Sequence, residues 1–230
     1  MSSILVTGAN RGLGLEFVRQ YAKDGWRVWA CCRHPDKARE LQQLAARHAN
    51  ISVHGLDVAD HRHIDALAQE LRDVPMDILL NNAGMYGGDD ENFGALNYHV
   101  WEHAFRINTM AAAKMAEAFL GHVERSEKRL IAAITSLMGS MGDNGSGGSY
   151  LYRSSKAALN AVMVSLARDL KVRRIGALVL HPGWVKTDMG GPHADITAET
   201  SVRGMRKVME DFTLQNSGRF IAYDGAELPW

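Results

Sequence analysis

Tyr152 and Lys156 stand four residues apart in a stretch, Tyr152–Val172, whose pattern predicts a helix. Side chains at that spacing leave a helix on one face. A tyrosine hydroxyl titrates near ~10 and exchanges protons poorly at neutral pH. A neighbouring ammonium favours the phenolate and draws that value toward the working range. Such a pair suits proton transfer: Tyr152 would protonate an alkoxide as it forms, or deprotonate an alcohol in reverse. The spacing alone is common, and two solvated neighbours on a helix surface would share it. Tyr150 competes for the role, but it lies six residues before Lys156 and so on another face. Ser136 follows the apolar run Leu130–Thr135 and can hydrogen-bond a substrate oxygen as charge develops there. Ser140 is a lesser substitute, and Ser149 lies too near the tyrosine to come from that strand.

A second chemical feature opens the chain. Thr7-Gly8-Ala9-Asn10-Arg11-Gly12-Leu13-Gly14 links the apolar run Ile4–Thr7 to the helical pattern Leu13–Asp24. Gly8 allows a sharp turn, Gly12 lets backbone approach a pyrophosphate, and Gly14 permits close helix–strand packing. The helix start adds unpaired N–H groups and the positive end of its dipole. Glycines by themselves also suit a plain turn; the strand–turn–helix setting favours the phosphate reading. Where the second strand ends, Cys31-Cys32-Arg33-His34-Pro35 holds no acid before Asp36. A carboxylate there would hold the ribose hydroxyls of NAD. Arg33 instead offers a charged fork suited to a 2′-phosphate, and Arg11 can reach the same group. NADP(H) is the expected cofactor.

These residues need elements to hold them. Short β-prone runs at Ile4–Thr7, Arg27–Cys32, Ile51–Leu56, Asp77–Asn81, Leu130–Thr135 and Ala177–His181 alternate with helical patterns. The helices are expected at Leu13–Asp24, Asp36–His48, His61–Asp73, Trp101–Arg125 and Tyr152–Val172. Leu13, Leu15, Val18 and Ala22 trace one face of the first, and Gly25 stops it. This alternation predicts an α/β Rossmann fold, a doubly wound parallel sheet of about seven strands with helices on both faces. Phe220–Tyr223 would add an edge strand. Met85–Leu96, Met138–Ser149 and Gly190–Ala198 read as loops, and residues 1–230 as one domain.

Five segments, in this order, resemble the short-chain dehydrogenase/reductase family across essentially the whole chain. They are the Thr7–Gly14 turn, Asn81-Asn82-Ala83-Gly84, Asn108, the Ser136…Tyr152-x-x-x-Lys156 set, and Pro182-Gly183-Trp184-Val185-Lys186-Thr187. The opening Ala-Asn-Arg-Gly-Leu-Gly-Leu-Glu, Tyr-Arg-Ser-Ser-Lys and the terminal Gly-Ala-Glu-Leu-Pro-Trp are similar to C-factor and sniffer-type carbonyl reductases. The resemblance implies cofactor binding by Gly8, Asn10, Arg11, Gly12, Leu13, Gly14, Arg33, Asp57, Val58, Asn82, Ala83, Gly84, Tyr152, Lys156, Pro182, Gly183, Val185 and Thr187. It implies an aspartate, Asp57, on the adenine amino group and an Asn108 that anchors a water joining Lys156 to solvent. Val185 and Thr187 would bond the nicotinamide carboxamide, and residues 188–198 would form a short substrate lid. The interval from Ser136 to Tyr152 is a little longer than the family pattern. Homodimers or homotetramers through Met110–Arg125 and Tyr152–Val172 are also implied.

The expected activity is hydride transfer between nicotinamide and a carbonyl or alcohol carbon, on a small-molecule substrate. A nucleotide-binding sensor on the same fold is the other reading, although such a protein has no need of both Tyr152 and Lys156. An extended epimerase-like relative would carry a larger segment after Thr187. The 26 basic and 26 acidic residues balance, which gives no reason to expect nucleic acid or an anionic membrane as partner. No metal-spaced His/Cys/Asp set occurs, so hydroxyls would polarise the carbonyl. Adjacent Cys31 and Cys32 read as reduced thiols, and a cytoplasmic location is expected. Met85, Tyr86, Met138, Met141, Trp184 and Met189 suit either a core or an adaptable apolar pocket wall.

Overall fold

A computed structural model describes residues 1–88 and 93–230. Part of the expected Met85–Leu96 loop, residues 89–92, lies outside the described residues. The strands are β1 (Ser3–Thr7), β2 (Arg27–Cys32), β3 (Ile51–Gly55), β4 (Ile78–Asn81), β5 (Leu130–Ile134), β6 (Gly176–His181), the short pair β7 (Val185–Lys186) and β8 (Ile196–Thr197), and β9 (Phe220–Ala222). The helices are α1 (Gly12–Lys23), α2 (Arg39–Arg47), α3 (His61–Glu70), α4 (Tyr98–Phe105), α5 (Ala111–Glu124), α6 (Tyr150–Asp169) and α7 (Ala198–Glu210). Seven of these strands form one parallel sheet in the order β3-β2-β1-β4-β5-β6-β9.

The central strands are apolar at nearly every position because helices cover both sheet faces. Side chains alternate between those faces. Leu5, Leu79 and Ile131 point into a core with Met115, Phe119 and Met163. Ile4, Val6, Ile78 and Leu80 point the other way, onto Phe17, Val18, Tyr21 and Met205. The strand order reverses between β1 and β4, and the crevice beyond their carboxyl ends is where such sheets bind ligands.

The first helix follows its periodicity: Leu15, Val18 and Ala22 are buried, with Phe17 and Tyr21 beside them, and Leu13 is half-buried. Gly25, at φ +79°, ends it. Its N–H donates to Ala22 and that of Trp26 to Tyr21, satisfying two carbonyls of the last turn.

Other boundaries moved. The expected helix Asp36–His48 breaks into a tight turn at Pro35–Lys37 and then α2. The expected helix Trp101–Arg125 starts earlier, at Tyr98, where Asn97 caps it by accepting from the Val100 N–H. It then widens into a π-turn at Arg106–Met110. The segment Gly190–Ala198 is not irregular throughout: Ile196–Thr197 pairs with Val185–Lys186, and Ala198 begins α7. No helix was expected at Ala198–Glu210, although Ser201, Val202, Met205 and Met209 are buried at helical spacing there. Gly204 obscures that pattern and serves close packing, since a Cβ on it would come 3.0 Å from the Tyr223 carbonyl carbon and closer still to its oxygen. Among the described residues, no helix is long and apolar enough to cross a membrane.

Candidate active site

Gly8 and Gly12 adopt positive φ, +66° and +54°, which suits glycine and strains other residues. Gly14 is needed for space. A Cβ there would sit 2.6 Å from the Asn82 Nδ2 and 2.9 Å from the Gly8 carbonyl carbon, and nearer still to the Gly8 oxygen. The end of β4 grips this turn. The Asn82 amide donates to the carbonyls of Thr7 at 2.8 Å and Gly8 at 3.2 Å. The Thr7 hydroxyl accepts from the backbone N–H groups of Asn82 and Ala83, each at 3.0 Å.

A cleft of about 510 Å³ starts at this turn and ends at the Tyr152–Lys156 pair. Gly8, Asn10, Arg11, Gly12, Leu13, Gly14, Arg33, Asp57, Val58, Asn82, Ala83, Gly84, Tyr152, Lys156, Pro182 and Thr187 all line it. Asn108, Ser136, Gly183 and Val185 do not. Gly183 turns at φ +80° against Ile196 and Tyr223, and Val185 is buried in the short pair β7–β8. The Asp57 Oδ1 accepts from the Ala59 N–H at 3.0 Å, an ordinary turn contact. Arg11 pairs with Asp188 at 2.7 Å. Both side chains are exposed, so the pair adds little stability. Cys31 and Cys32 are free and buried, and burial pushes both thiols up.

The Tyr152–Lys156 end of the cleft is assembled by α6, the π-turn and the segment after β5. Asn108 is not a defect tolerated inside a helix. The π-turn aims its amide at Met85, accepting from the Met85 N–H at 2.8 Å and donating to its carbonyl at 2.9 Å. The same Nδ2 donates to the Ser155 hydroxyl at 2.9 Å. A Cβ on Gly84 would have Asn108 Oδ1 at 3.3 Å and Lys156 Nζ at 3.4 Å, so both groups flank this glycine. Ser136 caps the tight turn Leu137–Gly139 by accepting from the Met138 N–H. Gly139 lies so close to Lys156 that a Cβ on it would come 2.9 Å from the lysine backbone. This contact brings Ser136 beside Tyr152 across the long interval. His181 holds the adjoining residue, its Nδ1 accepting from the Leu137 N–H at 3.1 Å. Burial pushes this imidazole down to about 4, so at neutral pH it remains an acceptor with a structural task.

The charge logic differs from expectation at one point. Burial pushes the Tyr152 phenol up to about 12; the neighbouring Ser136 hydroxyl opposes this and the Tyr86 phenol adds to it. Burial also pushes the Lys156 ammonium down, to about 8. Lys156 Nζ donates to the Ile134 carbonyl at 2.8 Å and lies 5.7 Å from the centroid of the Tyr152 ring. Desolvation of both groups outweighs the attraction that the four-residue spacing suggested.

The short chain dehydrogenase family matches residues 2–197. The chain belongs to that family. Among curated relatives, the C-signal protein of Myxococcus xanthus is 41% identical over 165 residues, covering 72% of this chain and 99% of the relative. The carbonyl reductase Sniffer of D. melanogaster superposes with a TM-score of 0.93 at 34% identity, covering all of both chains. A carbonyl reductase from chicken fatty liver, solved with NADPH bound, gives 0.93 at 34% identity over 100% of this chain and 99% of that one.

Within this short-chain dehydrogenase, several cleft residues escaped the sequence reading. Lys37 and His34 join Arg33 where β2 ends; Lys37 was absorbed into a helix that in fact breaks at Ala38. Thr135 lines the cleft, is 1% exposed, and its buried hydroxyl has no hydrogen-bond partner among the described residues. Tyr86, Met141, Trp184 and Met189 are exposed, which removes them from the core.

Lys156 also gives a stability prediction. Its folded-state value lies below the ordinary 10.5, so between about 8 and 10.5 the unfolded chain binds more protons and stability rises with pH. At pH 7 the whole penalty is in force, up to about 3 kcal/mol. Lys156→Met removes it, and the lost bond to Ile134 offsets about 1 kcal/mol. The variant should therefore melt higher than the parent at pH 7, by calorimetry; a lower melting temperature would contradict the assigned penalty.

Proposed function

We infer that the chain is an NADP(H)-dependent carbonyl reductase in which Tyr152 serves as general acid and base. The observation that carries this reading is the burial of Tyr152 and Lys156 at the far end of a cleft that begins at a glycine turn, with half-buried Ser136 beside the tyrosine. A sensor has no use for a buried ammonium under a phenol, since burying it costs stability.

The residues suit the cofactor. The Gly8–Gly14 cradle has no room for a side chain at Gly14, and α1 directs its first N–H groups toward a pyrophosphate. Arg33 and Lys37 line the cleft after β2 and would supply the cations a 2′-phosphate needs. Asn10, Asp57, Val58 and Asn82 to Gly84 would hold the adenosine half. Pro182, Gly183, Val185 and Thr187 would frame the nicotinamide half. NADP(H), when bound, supplies or accepts the hydride. Tyr152 keeps its proton at neutral pH and gives it from Oη to the oxygen that gains charge. Ser136 Oγ hydrogen-bonds that same oxygen. Lys156 holds positive charge beside the phenol as it ionises, and Asn108 fixes Met85 and Ser155 around it.

A panel of ketones, aldehydes and quinones run with NADPH and NADH in parallel tests the activity. Arg33→Ala tests the cofactor assignment. Loss of one charge-assisted pair to a phosphate is expected to raise the dissociation constant for NADPH about 10- to 100-fold. Fluorescence titration should show NADH binding little changed. An unaltered NADPH constant at low salt would reject the assignment, and Arg33→Ala/Lys37→Ala should weaken NADPH binding further.

A further inference from the structure

We propose that Tyr86 and Ser149 form a latch across the substrate end of the cleft, making Tyr86 a positioning and specificity-determining residue. The proposal rests on the carbonyl reductase reading. Tyr86 follows Met85, whose backbone N–H and carbonyl are both held by Asn108. Its side chain therefore leaves from a fixed point. Its ring packs against that of Tyr152, with centroids 4.8 Å apart and planes at 43°. Its hydroxyl lies 3.0 Å from the Ser149 Oγ. The two loops that flank Tyr152 are thereby joined over it, one through residue 86 and the other through residue 149.

Ser149 shows that local stability does not explain this link. It precedes α6, where a serine ordinarily caps the helix through its hydroxyl. Here it makes no cap, and its backbone is left-handed at φ 45° and ψ 44°, a conformation that serine adopts only under constraint. The cap is lost and the backbone strained, while the bond gained lies near solvent. Strain of this kind, one residue before the helix that carries Tyr152 and Lys156, points to a role in shaping the site. Tyr86 buries one part of its ring on Tyr152 and leaves 38% of the residue exposed. The exposed part offers an aromatic surface beside the proton donor. A flat aryl carbonyl can stack on it while its oxygen meets Tyr152 and Ser136, whereas a small aliphatic aldehyde makes no such contact.

Steady-state kinetics with NADPH and two carbonyls, an aryl ketone and a short aliphatic aldehyde, test the latch. Tyr86→Phe keeps the ring and removes the link, and Ser149→Ala removes the link from the other side. Each should raise KM for the aryl ketone about 3- to 10-fold with kcat within about 2-fold, and the double variant should match the single ones. Tyr86→Ala should raise that KM more than about 10-fold and also lower kcat for both substrates, since Tyr152 loses the ring that holds it. Tyr86→Phe should then restore kcat but not the aryl KM. Melting temperatures of all variants report folding separately. Additive effects of Tyr86→Phe and Ser149→Ala, or an unchanged aryl-to-aliphatic ratio in Tyr86→Ala, would overturn the latch while leaving the parent activity standing. A parent chain that turns over neither carbonyl would remove the latch and the carbonyl reductase reading together.

Discussion

Tyr152→Phe is expected to bind NADPH with an unchanged dissociation constant and to turn over about 10²- to 10⁴-fold more slowly, the usual contribution of a positioned general acid. The change deletes one oxygen from a ring that is 7% exposed and packed against Tyr86, so the fold has no reason to move. Ser136 keeps its cap on the turn after β5, and the oxygen that gains charge still meets one hydroxyl. What disappears is the proton. Parallel binding titration and single-turnover kinetics separate these effects. Full turnover in the variant would mean that another group donates the proton, and loss of NADPH binding would mean that the hydroxyl serves structure first.

Gly14→Ala should damage both the fold and the cleft. The added carbon would approach the Gly8 carbonyl and the Asn82 amide from inside contact distance. Neither neighbour yields easily: Gly8 belongs to the backbone turn, and Asn82 is bonded to Thr7 and Gly8. Overpacking at such a site costs about 3 kcal/mol, which for a chain of this size lowers the melting temperature by roughly 6 to 12 °C. The turn must also shift. Displacements on the order of 1 Å at aligned sites cost about 10²-fold in rate, so turnover should fall by about that factor and NADPH binding should weaken. Gly145→Ala is the control, because a Cβ at residue 145 would meet nothing within 4 Å and its φ is not in the left-handed range. Equal effects of the two substitutions in scanning calorimetry would show that space at Gly14 is not the determinant.

Tyr152, Lys156, Ser136 and the glycine turn could be picked out as candidates in the sequence because each belongs to a local pattern. One helical turn separates the first two, a strand end precedes the third, and strand–turn–helix frames the glycines. Lys37, Thr135 and the helix Ala198–Glu210 were not. Lys37 lines the cleft from the tight turn Pro35–Lys37, which Ala38, at ψ 65°, separates from α2. Thr135 looks like the last residue of a strand, and its unpartnered hydroxyl emerges only when everything around it is packed. In Ala198–Glu210 a few apolar residues stand among polar ones around Gly204, and the stripe becomes clear once α7 lies on α1.

The electrostatics of the pair were also out of reach. Spacing implied that Lys156 would pull the Tyr152 proton away, yet burial governs both groups, raising one and lowering the other. Desolvation depends on what surrounds a side chain in three dimensions, and no pattern along the chain records it.

The chain's own order of residues determined the alternation of strands and helices, the parallel sheet, the glycine turn and the choice of Tyr152 as candidate proton donor. All of these follow from side-chain periodicity and backbone freedom within a few neighbours. Tertiary structure alone decided that Asn82 braces the glycine turn, that Asn108 holds Met85, and that Tyr86 meets Ser149 above Tyr152. Those contacts join residues 23 to 75 positions apart. They form only where packing of the whole sheet and its helices brings distant segments within hydrogen-bonding distance.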